Sequence, residues 1–89
     1  MDESKAIEYL MHFGMSRQEA TVYLRLIEAG KQTGYEIARD TGISRSNVYA
    51  SLAALVEKGA AYLVEEDAKR YIPVHVQEFC GNRNRRMEE

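Results

Sequence analysis

Through the first sixty positions, apolar residues recur at the three-and-four spacing of helices, and glycines punctuate the pattern. In "ESKAIEYLMHFG" Ile7, Leu10 and Met11 share one face, and Gly14 closes the segment. "SRQEATVYLRLIEAG" opens with Ser16 and Glu19 at the spacing of a capping box, which satisfies two backbone amides that the helix leaves orphaned. Ala20, Tyr23, Leu24 and Ile27 follow on one face, and Gly30 ends the helix. "TGYEIARDTG" repeats the device with Thr33 and Glu36, turns Ile37 and Ala38 inward, and stops at Gly42. A fourth helix, capped by Ser44, runs to Gly59. Most of these glycines stand where a helix C-terminus favours positive φ.

Beyond Gly59 the period falls to two. "AAYLVEEDAKRYIPV" predicts strands over residues 62–65 and 70–74 around a charged turn, with Tyr71 and Pro73 alternating with Ile72 and Val74. "VQEFCGNRNRRMEE" then begins as a helix through Val76, Phe79 and Cys80, which Gly81 weakens. The expected architecture is mainly α with a small β-hairpin, in a single domain over residues 1–89. Within it, Ala38, Gly42 and Val48 are spaced as a helix-turn-helix needs: a small residue at the helix contact, a glycine in the turn and an apolar anchor. The motif spans about 33–58, a hairpin wing follows at about 61–74, and a terminal helix covers about 75–87. This is the layout of a winged helix-turn-helix.

The fourth helix has an unusual outer face. With about 100° per residue, Leu52 and Leu55 fall close to Val48 and form the buried stripe, with Val56 at its edge. Opposite them lie Ser46, Ala50, Ala53 and Glu57. A solvated helix surface more usually carries long charged or amide side chains. Small ones let the backbone come close to a partner, and a major groove about 12 Å wide admits a helix. Polar groups gather at its N-terminal end: Ser44, Arg45, Ser46, Asn47 and, on the flank, Tyr49. Arg45 suits guanine O6 and N7 or a phosphate, and Asn47 suits an adenine edge. Each also has a plainer account. Ser44 is an N-cap, alanine is a strong helix former, and Arg45 and Asn47 can be simply solvated. Thr33 and Tyr35, at the start of the preceding helix, can reach a phosphate or serve as cap and rim. Tyr49 can meet a phosphate or pack on the wing.

Charge changes the picture little. The chain of 89 residues is net −2, which argues mildly against nucleic acid. Residues 31–60 nevertheless carry four basic and three acidic groups. One cysteine, Cys80, cannot form an internal disulfide, so a reducing, cytoplasmic setting is expected. No apolar run approaches the roughly 20 residues of a membrane span, and the N-terminus lacks the look of a secretory signal. His12, His75 and Cys80 have no metal-ligand spacing, and no nucleophile–base set or glycine-rich phosphate loop appears. Neither an enzyme nor a bound cofactor or metal is expected.

The run "FGMSRQEATVYLRLIEAGKQTGYEIARDTGISRSNVYASLAALVEKG", followed by "RYIPV", resembles the N-terminal winged-helix domain of the TrmB family of transcriptional regulators. The matching residues include Gly14-Met15-Ser16, Glu19-Ala20, Val22-Tyr23, Glu36-Ile37-Ala38, Gly42 to Ser46, Val48-Tyr49, Leu52, Leu55 and Lys58-Gly59. The resemblance implies double-stranded DNA binding as a homodimer, with residues 45–58 in the major groove. It carries recognition onto Ser44, Arg45, Ser46, Asn47 and Tyr49, and wing contacts onto Lys69 and Arg70. It also implies that a helix after the wing dimerises. The hairpin turn "EEDAKR" departs from it, because Glu65, Glu66 and Asp67 would repel phosphate, and an internal ion pair is the competing account of Lys69 and Arg70. Ala60-Ala61 are less apolar than usual where the wing begins. Larger members continue into a sugar-binding domain, so no small-molecule effector is expected on this chain alone. The alternative function is a winged helix that docks a protein partner on the same small-residue face.

Overall fold

The structure is a computed structural model that describes residues 2–75 and Glu78. Its elements are α1 (Glu3–His12), α2 (Arg17–Ala29), β1 (Gln32–Thr33), α3 (Gly34–Thr41), α4 (Arg45–Glu57), β2 (Ala61–Glu65) and β3 (Lys69–Pro73). The helix starts follow local chemistry. Asp2 accepts from the Lys5 amide, Ser44 from the Asn47 amide, and the Ser16–Glu19 and Thr33–Glu36 capping boxes both form. Gly42, at φ +77°, closes α3 in the left-handed region and turns the chain into α4.

Helix α2 is the centre of the packing. Ala20, Val22, Tyr23 and Leu26 are wholly buried, and α1, α3, α4 and β3 all lie against it. The buried arc is wider than the sequence suggests and is rotated toward Val22 and Leu26. Ile27 is exposed and Leu24 only half-buried. Met11 on α1 is also exposed, leaving Ile7 and Leu10 to face the core. On α2 the cause is that single-face periodicity underestimates a helix covered from several sides, whereas α1 packs chiefly against α2 and buries a narrower stripe. On α4 the expected stripe of Val48, Leu52 and Leu55 is fully buried, and Ser51 joins it by donating its hydroxyl to Gln18 Oε1 at 3.1 Å.

The wing is a three-stranded antiparallel sheet in the order β1-β3-β2. β2 and β3 form the expected hairpin, with Leu63 opposite Tyr71 and Glu65 opposite Lys69. Strand β1 is an addition to the sequence reading. Gln32 pairs with Tyr71 and Thr33 with Arg70, so the two residues before α3 zip the wing to the helix-turn-helix. Ala60 and Ala61 are buried where α4 passes into the wing. Inside the core the Tyr23 hydroxyl donates to the Val74 carbonyl at 2.6 Å, and the Val74 amide donates to the Ala60 carbonyl at 2.9 Å. Lys58, the C-cap of α4, reaches back to donate to the Gly14 carbonyl at 2.8 Å and pairs with Glu19. The terminal helix expected over about 75–87 lies, apart from His75 and Glu78, outside the described residues.

Two stability measurements check this account. Tyr23→Phe removes a donor from a buried carbonyl, so a loss of about 1–3 kcal/mol is expected, read as a lower urea midpoint at unchanged slope. Acid unfolding checks the cap of α3. The Thr33 amide and hydroxyl, with Arg39 and Arg70 nearby, hold the Glu36 carboxyl below its ordinary value of 4.5. A carboxyl lowered in the folded state adds stability above its unfolded pKa and loses it as pH falls through the lower folded one. Stability therefore declines below about pH 4.5. Glu36→Gln, which preserves the capping geometry but carries no charge, should flatten that decline and lower stability at neutral pH by about what the decline removes.

Candidate nucleic-acid interface

The first turns of α3 and α4 and the wing strand β3 meet on one side of the molecule. Thr33, Tyr35, Tyr49, Ala68, Lys69 and Tyr71 line a shallow hollow there. The floor is set by burial: Tyr71 is 8% exposed, and loss of solvation pushes its phenol above the usual value, so it stays neutral. One wall is the Tyr49 ring, which lies against Gly34. A Cβ at Gly34 would stand 2.8 Å from Tyr49 Cζ and closer still to Cε1. Gly34 has an ordinary backbone, so its role is purely to leave room for that ring. Of the two sequence accounts of Tyr49, the structure adds a third: it packs on α3.

The helix face opposite the core is open. Ser46, Asn47, Ala50, Ala53 and Glu57 are all exposed along α4. Ser44 is committed as the cap, accepting from the Asn47 amide at 3.3 Å, and its hydroxyl lies 3.5 Å from that of Ser46. Arg45 is exposed, and its guanidinium carbon stands 5.5 Å from the centroid of the Tyr35 ring. That is within the range of a cation–π contact. Thr33 is committed more fully. Its amide and hydroxyl donate to Glu36 Oε1 at 2.9 and 3.1 Å, and its oxygen accepts from the Glu36 amide. The structure thus gives Thr33 the capping role and leaves little of its hydroxyl for another partner.

The wing's acidic turn is largely neutralised from within. Lys31 pairs with Glu66 at 2.9 Å, and Arg70 pairs with Asp67 across the turn. Asp67 is held below its ordinary value by Arg70, and Arg70 above its own by Asp67. Lys69 is exposed and makes no ion pair among the described residues. The two basic residues expected to act together therefore differ: Lys69 is uncommitted at the hollow, and Arg70 is tied to the turn. Gly34, Ala68 and Tyr71 were not singled out for this surface. The sequence carried no signal for them, because their neighbours across the hollow come from elements more than ten residues away.

The Gly34–Tyr49 contact makes a signed prediction for a thermodynamic cycle. Gly34→Ala should destabilise the chain by about 1 kcal/mol when Tyr49 is present, because the ring must shift. In a Tyr49→Ala background the same change should stabilise by up to about 1 kcal/mol, because alanine is the better helix former. Denaturant melts of the four proteins give the coupling.

Comparisons with known proteins bear on the family and the fold. At 30% identity over 83 residues the chain is similar to the uncharacterized protein YrhO of Bacillus subtilis, covering 93% of this chain and 30% of that protein. At 28% over 75 residues it is similar to the HTH-type sugar sensing transcriptional regulator TrmBL1 of Pyrococcus furiosus, covering 84% of this chain and 22% of the regulator. The chain thus spans less than a third of the length of either relative. Among solved structures it resembles TrmBL2, an archaeal chromatin protein described as showing a novel mode of DNA binding. The TM-score is 0.89 at 25% identity, over 98% of this chain and 35% of that one. It also matches ST1889 of Sulfolobus tokodaii, with a TM-score of 0.73 at 24% identity over 97% of this chain and 93% of that one, which speaks to the fold alone. The family described as "Sugar-specific transcriptional regulator TrmB" matches residues 10–77. With a winged helix-turn-helix in place and most of its length matched, this chain belongs to the TrmB family.

Proposed function

We propose that this chain reads double-stranded DNA in a sequence-specific way, as the DNA-binding part of a cytoplasmic transcriptional regulator that acts as a homodimer on a pseudo-palindromic site. One observation carries the reading: α4 presents an open face of small residues, with Arg45, paired with no carboxylate among the described residues, and exposed Asn47 at its N-terminal end. A helix of this length runs about 20 Å, enough to lie along a major groove. Its small side chains permit close approach, and its first turn meets the base edges. Arg45 faces guanine O6 and N7, Asn47 an adenine edge, and Ser46 and the Ala50 methyl complete the contact. Ser44 and Tyr49 flank this reading head. Around it, Lys69 stands toward the phosphates, with Thr33 supporting the turn, Tyr35 beneath Arg45, and Arg70 holding the wing turn through Asp67.

The net charge of −2 is compatible with this role because of where the charge is spent. Glu66 and Asp67 are each paired with a cation, so the wing tip carries less repulsion than its sequence suggests. The similarity to a chromatin protein supports a second reading, DNA binding without base preference, and the same experiment separates the two.

Selection from randomised duplexes at two salt concentrations is the test. Enrichment of a two-fold symmetric site, lost at high salt, is the expected result. Enrichment of nothing, with salt-sensitive retention of every duplex, would sink specific reading in favour of architectural binding. Partner binding that is indifferent to salt, with no duplex retained, would favour a protein-docking winged helix. On the selected site, Arg45→Ala should cost roughly 1–3 kcal/mol and relax preference at one position of each half-site. Lys69→Ala should weaken all duplexes alike and lower the salt slope by about one.

A further inference from the structure

We infer that Tyr35 is a positioning residue for base reading: its ring is a platform that aims the Arg45 guanidinium from α3 into the partner of α4. The inference rests on the reading of Arg45 as a base contact and goes beyond it, because it assigns specificity to a residue that touches no base.

The ring and the guanidinium come from different helices, joined by the Gly42 turn. Each is fixed at its backbone. Tyr35 stands in the first turn of α3, where the Thr33–Glu36 capping box orders the chain. The residue before it, Gly34, is covered by the Tyr49 ring from α4. Arg45 is the first residue of α4, directly after the Ser44 cap. What remains free is the long Arg45 side chain, and a free arginine pays in rotamer entropy when it binds. The guanidinium carbon lies 5.5 Å from the Tyr35 centroid, and Arg45 makes no hydrogen bond or ion pair among the described residues.

The choice of an aromatic partner has a consequence. A carboxylate would also hold an arginine, but it would neutralise the charge and occupy the N–H donors. Arg70 is held in that way by Asp67. A ring attracts the cation through its quadrupole and accepts none of those hydrogen bonds, so the donors stay available for guanine. Tyr35 is 54% exposed, so it can lie at the surface of the complex without burial of its own being required. The stacking role and a hydroxyl-to-phosphate role make opposite demands on the ring. Stacking needs the π face, which phenylalanine keeps; the phosphate contact needs the hydroxyl, which it lacks.

The test is duplex selection with the whole 89-residue chain and three variants, Arg45→Ala, Tyr35→Ala and Tyr35→Phe, with melting of each to confirm folding. Arg45→Ala marks the position that Arg45 reads. Tyr35→Ala should relax preference at that same position and weaken the best site by about two- to fivefold. It should leave the salt slope unchanged, and Tyr35→Phe should retain the original preference. Uniform weakening of every duplex in both Tyr35 variants, with base preference kept, would overturn the platform and assign the hydroxyl to a phosphate; a neutral hydroxyl releases no counterion, so the salt slope does not move in that case either. No effect of Tyr35→Ala where Arg45→Ala relaxes preference would overturn it too, while leaving base reading by Arg45 intact. If Arg45→Ala changes no preference, the reading of Arg45 fails and the platform with it.

Discussion

One buried hydrogen bond ties the innermost helix to the end of the wing. The Tyr23 hydroxyl, on the innermost helix, donates to the carbonyl of Val74 at the end of the last strand. The phenol ring is wholly buried, so an unpaired hydroxyl there would cost more than the bond itself contributes. This demand fixes where the chain must pass after the wing, and it sets the base of the hairpin against α2. The neighbouring Val74 amide closes the same corner on Ala60, just beyond the end of α4. The wing thus takes its position from α2 at its base and from β1 at its free side. The short β1 pairing makes the start of α3 part of the sheet, so wing and helix-turn-helix form one surface.

That surface is organised by which charges are already partnered. Lys31, Lys58, Arg25, Arg39 and Arg70 are each engaged with a carboxylate elsewhere. Exposed pairs of this kind contribute little to stability, so their larger effect is to distribute the field. On the candidate interface Arg45 and Lys69 pair with no carboxylate among the described residues. An acidic chain can in this way present local cationic groups to a polyanion. The exposed face of α4 beside them carries alanine and serine in place of long side chains.

Much of the fold was legible because it is local. Both capping boxes, the Ser44 cap, the Gly42 turn and the α4 stripe formed as the spacing of residues required. Such features depend on contacts three or four residues apart, which a sequence displays directly. Strand β1 was not legible. Two residues have no periodicity, and Thr33 already carried the signal of a helix cap. The rotation of the α2 face toward Val22 and Leu26 was hidden for a different reason: a helix packed from several sides has no single apolar stripe. Of the candidate site, the exposed side of α4 could be drawn from its buried side by geometry alone. The pairing state of Arg70 and Lys69 could not, because two basic neighbours facing three acids allow several arrangements.

The sequence by itself determined the winged helix-turn-helix order of elements, the helix ends and the bare character of the fourth helix, since each follows from backbone chemistry within a few residues. The tertiary structure alone decided that Tyr35 lies beneath Arg45, that Tyr49 occupies the space Gly34 leaves, and that β1 joins the wing to α3. These contacts depend on the angle between helices and on the register of strands. Both are set by how the whole core packs around α2, and no short stretch of residues contains them.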